Sequence, residues 1–348
     1  MAPSRRRTPN RKLDDLPGLF DAVEINLNKP YSPEEIVVEH RKNQITPLTP
    51  IRGDMDIDPV NLCRYRELRF ISFGSGSSGN CSYLGIPGEG GLLIDAGIDE
   101  DKVTQALNAN CIQYSEILGI ILTHDHSDHV RGAYALLRHN RHMSLYCTPR
   151  CLNGLLRRHN VSRRIKDYHK PIFKEFEFQV GPFVITPFET SHDGTDNVGF
   201  SIEVSSHRFV VATDMGYITE RADYYISQAD FLMIEANYDA QMLAEGPYPE
   251  YLKARIRGDR GHLDNAVTAA YLAGIVTPRL KDVYLCHLSQ DNNRPETALA
   301  AVREALAAKG LTVGDGSGSP ESVSADIRLS ALPRFDCSPL YVHRLKRE

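Results

Sequence analysis

The sequence predicts an α/β protein in which β-sheets are sandwiched between helices. Three observations carry this. Short apolar strands recur between helical segments over roughly 270 residues, the mixture expected of layered α/β architectures. In the middle of the chain several strands follow one another without a helix, which marks an antiparallel run. The chain has 348 residues, of which 41% are hydrophobic and 24% charged, so a full core can form without disulfides or metals as staples.

Taken in order, residues 1–15 read as a disordered basic tail and 16–67 as an uneven, proline-interrupted extension. One helix start stands out in the extension: Ser32 as N-cap, Pro33 at the first helical position and Glu35 three residues on from the cap. The main folded domain is expected over 68–348. Its apolar runs predict strands at 68–73, 91–97, 117–123 and 144–147, with helices near 101–109, 128–139 and 149–158 between them. Strands at 175–180, 183–188, 199–204 and 208–213 form the antiparallel run. Helices near 219–228, 248–257, 263–275 and 294–308 then alternate with strands at 231–236 and 283–286. Residues 314–319 read as a flexible loop.

The formal net charge is −5, but the positive charge is concentrated. Residues 138–170 carry nine Lys/Arg against one acid, Asp167. Such a run is either a solvated face or the electrostatic footprint of a polyanion, with Arg157 and Arg158 as candidate phosphate contacts. The longest uncharged run in the C-terminal half, 265–278, falls short of the roughly 20 apolar residues of a membrane span. The basic N-terminus has no apolar stretch behind it and is not a secretory signal. Seven scattered cysteines with no CxxC pair read as free thiols in a reducing cytoplasm; the spacing of Cys147 and Cys151 is taken as chance.

The chemistry is concentrated in Thr123-His124-Asp125-His126-Ser127-Asp128-His129, at a strand-to-helix turn. His124 and His126 alternate in extended chain and share a face; Asp128 and His129 project elsewhere as the helix begins. One loop can thus serve two adjacent metals. Further polar residues cap later apolar strands: His192 in Glu189-Thr190-Ser191-His192, Asp214 in Ala212-Thr213-Asp214-Met215-Gly216, and His287 in Leu285-Cys286-His287-Leu288-Ser289. Each alone is unremarkable, but three in this order after the loop form a pattern.

That order resembles the metallo-β-lactamase fold, an αββα sandwich. The finer likeness is to the YycJ/WalJ family of metal-dependent 5′-to-3′ exonucleases acting on double-stranded DNA. It rests on Gly74-Ser75-Gly76-Ser77-Ser78-Gly79-Asn80-Cys81, the loop 123–129, Arg260-Gly261-His262-Leu263-Asp264-Asn265 and His287-Leu288-Ser289-Gln290-Asp291-Asn292-Asn293. It covers about 68–343. Leu263-Asp264 departs from the Leu-Ser of that family. The resemblance implies two divalent ions, one on His124, His126 and His192, the other on Asp128, His129 and His287, with Asp214 bridging. A donor set of His and Asp without Cys suits Zn²⁺ or Mn²⁺. Asp214 and Asp128 would then be catalytic as well as ligating. His262, left over by the ligand count, would be a general acid or a terminal-phosphate contact, with helix capping as the plainer role.

Gly74-Ser75-Gly76-Ser77-Ser78-Gly79 also matches a dinucleotide-binding fingerprint. That fingerprint needs a following helix, whereas a hairpin follows here, so no nucleotide cofactor is expected. The loop is read instead as a close backbone approach to substrate, with Ser77, Ser78 and Asn80 as candidate contacts. His139, His142, His159 and His169 are read as surface or phosphate-facing groups. Two function classes remain: a dinuclear phosphodiesterase whose partner is DNA, and a small-molecule thioesterase or lactonase on the same centre. A binding protein with purely structural metals is disfavoured, because structural zinc sites are closed tetrahedra.

Overall fold

The computed structural model describes residues 65–346 together with the backbone of Ile51–Arg52. The basic tail, the helix from Ser32 and nearly all of the 16–67 extension lie outside the described residues.

Among the described residues the strands form two eight-stranded sheets. The first contains β1 (Ile51–Arg52), β2 (Tyr65–Gly74), β3 (Cys81–Ile86), β4 (Gly90–Ile94), β5 (Ile117–Ile121), β6 (Ser144–Cys147), β7 (His169–Pro171) and β16 (Tyr341–Lys346), in the order β1-β16-β2-β3-β4-β5-β6-β7. The second contains β8 (Phe178–Val180), β9 (Phe183–Glu189), β10 (Val198–Val204), β11 (His207–Ala212), β12 (Phe231–Glu235), β13 (Asp282–Cys286), β14 (Val313–Gly314) and β15 (Ile327–Ala331), in the order β14-β15-β13-β12-β11-β10-β9-β8.

Strand periodicity builds three apolar layers. In β12, Phe231 and Met233 face the other sheet while Leu232 and Ile234 face helices. In β13, Tyr284 and Cys286 face inward and Val283 and Leu285 outward. Strands buried on both faces read as continuous apolar runs, as parallel strands do. Phe70, Phe209, Tyr284 and Tyr341 form an aromatic knot between the sheets, with Phe70 and Phe209 centroids 4.9 Å apart. Outside the first sheet pack α1 (Glu100–Ala109), α2 (Ser127–Val130), α3 (Ala133–His139) and α4 (Pro149–Arg158). Outside the second pack α5 (Glu220–Ile226), α8 (Asn265–Ile275) and α9 (Pro295–Ala307); α6 (Ala240–Glu245), α7 (Glu250–Arg257) and α10 (Pro320–Val323) complete the chain. This is the expected sandwich of sheets between helices.

The sheet begins earlier than position 68: β2 starts at Tyr65, and Ile51–Arg52 pairs with β16. The C-terminal strands β15 and β16 are additions to the sequence reading, as is the edge strand β7. Residues 314–319, expected as a flexible loop, begin inside β14 and lead directly into α10, where the Ser319 side chain accepts a hydrogen bond from Ser322 N.

No helix among the described residues is long and apolar enough to cross a membrane. The six described cysteines are free thiols.

Candidate metal centre

Strand direction assembles the site. Strands β4 and β5 are parallel, as are β11, β12 and β13. The carboxyl end of an open α/β sheet is where ligand-binding residues collect. Asp95, the loop 124–129, Asp214, Glu235 and His287 all lie at such ends, and His192 follows β9. Asp95, Asp214 and His287 leave their strands with φ of +59°, +55° and +54°. Left-handed backbone is uncommon for non-glycine residues and is held only where surrounding contacts enforce it.

The sequence-predicted donors come together. His124, His126 and His192 offer nitrogens within 4.8 Å of one another; so do Asp128, His129 and His287 with their own ligand atoms, and Asp214 joins His124 and His129 in a further group. Asp214 Oδ2 lies 3.4 Å from His129 Nε2, and its Oδ1 lies 3.7 Å from His192 Nε2 and 3.4 Å from His287 Nδ1. It therefore stands between the two triads. Tetrahedral ligands about 2.0–2.1 Å from one ion sit at comparable mutual spacings.

The donors fit divalent ions on their own chemistry. His124 Nε2 is buried and has no hydrogen-bond partner among the described residues. Nitrogens His126 Nδ1 and His192 Nε2 face each other at 3.2 Å. Buried polar atoms without a partner are rare and call for an occupant.

The opposite nitrogens are fixed by outer groups. Asp95 Oδ2 holds His129 Nδ1 at 2.8 Å, and Asp95 Oδ1 accepts from Thr123 N at 2.8 Å. Glu235 Oε1 holds His262 Nδ1 at 2.7 Å and lies 3.1 Å from His287 Nδ1; its Oε2 accepts from Met215 N. The carbonyl of Gly261 meets His192 Nδ1 at 2.9 Å, and Asp193 Oδ1 lies 3.2 Å from His126 Nε2. Such outer carboxylates and carbonyls set tautomer and ring orientation.

Electrostatics divides the imidazoles. Burial drives His124 well below the usual histidine range, and burial with the neighbouring His192 takes His126 down to about 4. These rings are neutral nitrogen donors. Burial also opposes charge on His129, but Asp214, Asp95 and Asp128 outweigh it and raise His129 to about 9. His287 is likewise raised against burial by Asp214, Asp128 and Glu235. Burial opposes ionisation of Asp128 too, yet His129 and His287 hold it at about 2. A cation held among these carboxylates would take the place of the protons that they favour on the two rings.

Other expected site residues are placed as follows. Ser77 and Ser78 are exposed on the glycine-rich turn, which runs into β3 without a helix. Asn80 is not an open substrate contact. It is 5% exposed; its Oδ1 accepts from Gly76 N, and its Nδ2 reaches Gly76 O, Asp128 Oδ2 and His129 Nε2. Its amide has both a donor and an acceptor, which lets it tie the glycine-rich turn to the donor atoms of Asp128 and His129. Arg158 reaches Asp125, Nε to Oδ2 3.5 Å, while Arg157 has no ion pair or hydrogen bond from its side chain among the described residues. His262 is not the cap of α8. Asp264 is, accepting from Ala266 N at 2.6 Å. Aspartate and serine are equivalent caps, which accounts for the departure at this position. His139 pairs with Glu100, and His142, His159 and His169 meet the carbonyls of Tyr114, Asp125 and Cys147.

Sequence reasoning missed Glu235, Asp95 and Asp193. Glu235 carries the same signal as Asp214, an acid ending an apolar strand (FLMIE), and it is fully buried. Asp95 is visible inside GLLIDAG, again an acid following directly on an apolar strand.

One hollow opens beside these donors and a second adjoins the first. The first, of about 830 Å³, is lined by His192, Lys174, Tyr217 and Arg260, among others. The second, of about 500 Å³, is lined by Arg157, Arg163 and Lys166; Arg150 and Thr195 line both.

Comparison with known proteins places this geometry. A family model described as the β-lactamase superfamily domain matches residues 91–287. The chain is 33% identical over 250 residues to exodeoxyribonuclease YycJ of Bacillus anthracis, covering 71% of this chain and 92% of that protein. It is 33% identical over 247 residues to exodeoxyribonuclease WalJ of Streptococcus pneumoniae, covering 71% and 91%. In fold it is similar to the metallo-β-lactamase fold protein YhfI of Bacillus subtilis, with a TM-score of 0.54, 14% identity and coverage of 80% and 99%.

Proposed function

This chain belongs to the β-lactamase superfamily and, within it, to the family of the YycJ and WalJ exodeoxyribonucleases; from that premise we propose that it is a dinuclear metal-dependent phosphodiesterase that degrades double-stranded DNA from the 5′ end. One observation carries the polyanion reading. The cleft at His192 continues through Arg150 and Thr195 into a hollow whose cations Arg157, Arg163 and Lys166 have no carboxylate partner among the described residues. Unpaired arginines leading away from a metal-competent centre suit a chain of phosphates. A thioesterase or lactonase would favour an apolar acyl pocket. This cleft is instead walled by Lys174, Glu189, Asp196, Arg221 and Arg260.

Residues His124, His126 and His192 would hold one ion and Asp128, His129 and His287 the other, with Asp214 shared. Divalent ions, Zn²⁺ or Mn²⁺, supply Lewis acidity and lower the pKa of water when bound. The chain's own groups do the rest. Arg150 and Arg157 bind phosphates on the way to the centre. Exposed Ser77 and Ser78 present a small-residue turn on the other side of the metal loop. Glu235 fixes His262 through Nδ1, so that its Nε2 is the atom available to protonate a leaving alkoxide.

The test is duplex DNA labelled at either 5′ or 3′ ends, incubated with the protein and Mn²⁺ or Zn²⁺, with a chelator control and a thioester in parallel. Stepwise loss from the 5′ end is expected. Thioester hydrolysis with intact DNA would refute the proposal.

A further inference from the structure

The basic stretch 138–170 is divided in two by local geometry. Residues Arg163–Tyr168 form a 3₁₀ helix, in which positions i and i+3 eclipse. Arg163 and Lys166 therefore share one side and line the hollow that joins the metal cleft. Arg164 and Asp167 share another. With Arg138, Arg141, His142 and Lys170 they line a separate concavity of about 660 Å³, floored by Tyr134 and Tyr168. Both tyrosines are half-buried and packed on the core, so the floor is firm. Arg138, Arg141, Arg164 and Lys170 are exposed, and none of their side chains makes an ion pair or hydrogen bond among the described residues. Four converging cations against the single carboxylate Asp167 leave a strong positive field in a shaped hollow.

The position of this hollow follows from the topology. Ser144, at the start of β6, lines it, whereas the metal loop follows the end of the parallel neighbour β5. The hollow thus lies toward the opposite end of these strands from the metals. Helix α4 links the two ends. Arg150, Asn153 and Arg157 fall at i, i+3 and i+7 on one helical face, and all three line the hollow continuous with the cleft. The ten residues of this helix span about 15 Å, roughly four phosphates of one B-form strand at about 3.4 Å each.

Resting on the polynucleotide reading above, we propose that the concavity of Arg138, Arg141, Arg164 and Lys170 is a second, non-catalytic phosphate-backbone site. It engages nucleic acid only beyond about four phosphates from the cleaved bond, and so makes the enzyme favour long substrates over short ones. Three of the four cations are arginines, whose planar forks match phosphate oxygens, and they continue one track of positive charge leading from the metals around the 3₁₀ ridge.

The test is the variant R138A/R141A/R164A, whose replaced side chains make no ion pair or hydrogen bond among the described residues, with K170A as a milder second variant. Equal melting temperatures check the fold. Anisotropy of a labelled duplex of about 30 base pairs is measured against salt, and turnover is measured on that duplex and on bis(p-nitrophenyl) phosphate. Loss of three phosphate contacts should lower the log–log salt slope by about 2.7, at roughly 0.9 per contact. KM for the duplex should rise while turnover of the small diester stays unchanged. If the wild type binds and cleaves duplex and the variant matches it, the second site is refuted and the catalytic proposal stands. If the wild type neither binds nor cleaves duplex, the polynucleotide reading falls and this site with it. If the variant loses binding to polyglutamate but not to DNA, the concavity is a docking site for an acidic protein, and the proposal is overturned.

Discussion

Replacing Asp95 by asparagine changes the chemistry of one side-chain atom and almost no volume. Asp95 is 2% exposed, and its carboxylate accepts from Thr123 N at 2.8 Å, from Thr123 Oγ1 at 3.0 and 3.1 Å, and from His129 Nδ1 at 2.8 Å. In the Asp95→Asn variant the amide oxygen can keep Thr123 N. The amide nitrogen then faces His129 Nδ1. Two donors cannot share that contact, so His129 moves its proton to Nε2, the nitrogen pointing at Asp128 and Asp214. A protonated Nε2 cannot ligate a metal. Loss of such outer-shell carboxylates costs about 10- to 100-fold in metal affinity, or about 1.4–2.8 kcal/mol.

Competitive titration of Zn²⁺ or Mn²⁺ against a chromogenic chelator reads this directly, with circular dichroism to verify the fold. The weakening should fall on the ion expected at Asp128, His129 and His287, and leave the other ion close to its wild-type affinity. If Asp95→Asn folds and binds both ions as the wild type does, the tautomer argument is wrong.

Three further outcomes follow from the same geometry. A Cβ on Gly97 would stand 1.5 Å from the carbonyl oxygen of Asp128, so Gly97→Ala should displace the metal loop, lower stability by about 1–3 kcal/mol or more in urea unfolding, and abolish turnover. His262→Ala should retain both metals and lose at least about 10² in turnover on DNA, with a much smaller loss on a nitrophenyl diester whose leaving group needs no proton; equal losses would remove the acid role. His343 is pushed down to about 4 by burial, opposed by Asp282 and assisted by Arg328, and its Nε2 meets Tyr284 Oη at 2.8 Å across the two sheets. The unfolded chain protonates this ring below about 6.5 and the folded one resists, so its contribution is full above about 6.5 and is lost as pH falls toward about 4, on the order of 3 kcal/mol in all. Urea midpoints of the metal-free protein should decline over that window, and decline less in His343→Gln.

The parts legible in the sequence were those whose signal is local. The loop 124–129 places four donors within six residues, Asp214 and His287 follow directly on runs of buried residues, and His192 comes a few residues after the strand Phe183–Glu189, so a reader of strand ends finds them without a fold. β12 and β13 were visible because burial on both faces makes them uniformly apolar. β16 (YVHRLK) was not, because His343 and Arg344 interrupt its apolar pattern. His343 is nonetheless 6% exposed, satisfied by Tyr284 and Asp282, partners supplied by the facing sheet. β7 is three residues at a sheet edge ending in proline, too short and polar to carry a pattern.

The outer residues of the site were hidden for a related reason. Asn80 reads as one more small polar residue of a glycine-rich loop. Only the return of the chain past Gly97, whose N donates to Asn80 O at 2.8 Å, turns it toward Asp128. Arg157 and Arg158 are adjacent in the chain, and composition cannot separate them. The helix does: about 100° of rotation sends Arg158 to the buried carboxylate of Asp125, between the two metal-loop histidines, and Arg157 to the open hollow. Charge reversal at Arg158 therefore sets an acid against Asp125 and disturbs the metal loop itself. Of this pair, Arg157 is the one that reports on phosphate binding cleanly: its reversal should change the salt dependence of DNA binding while leaving metal affinity untouched.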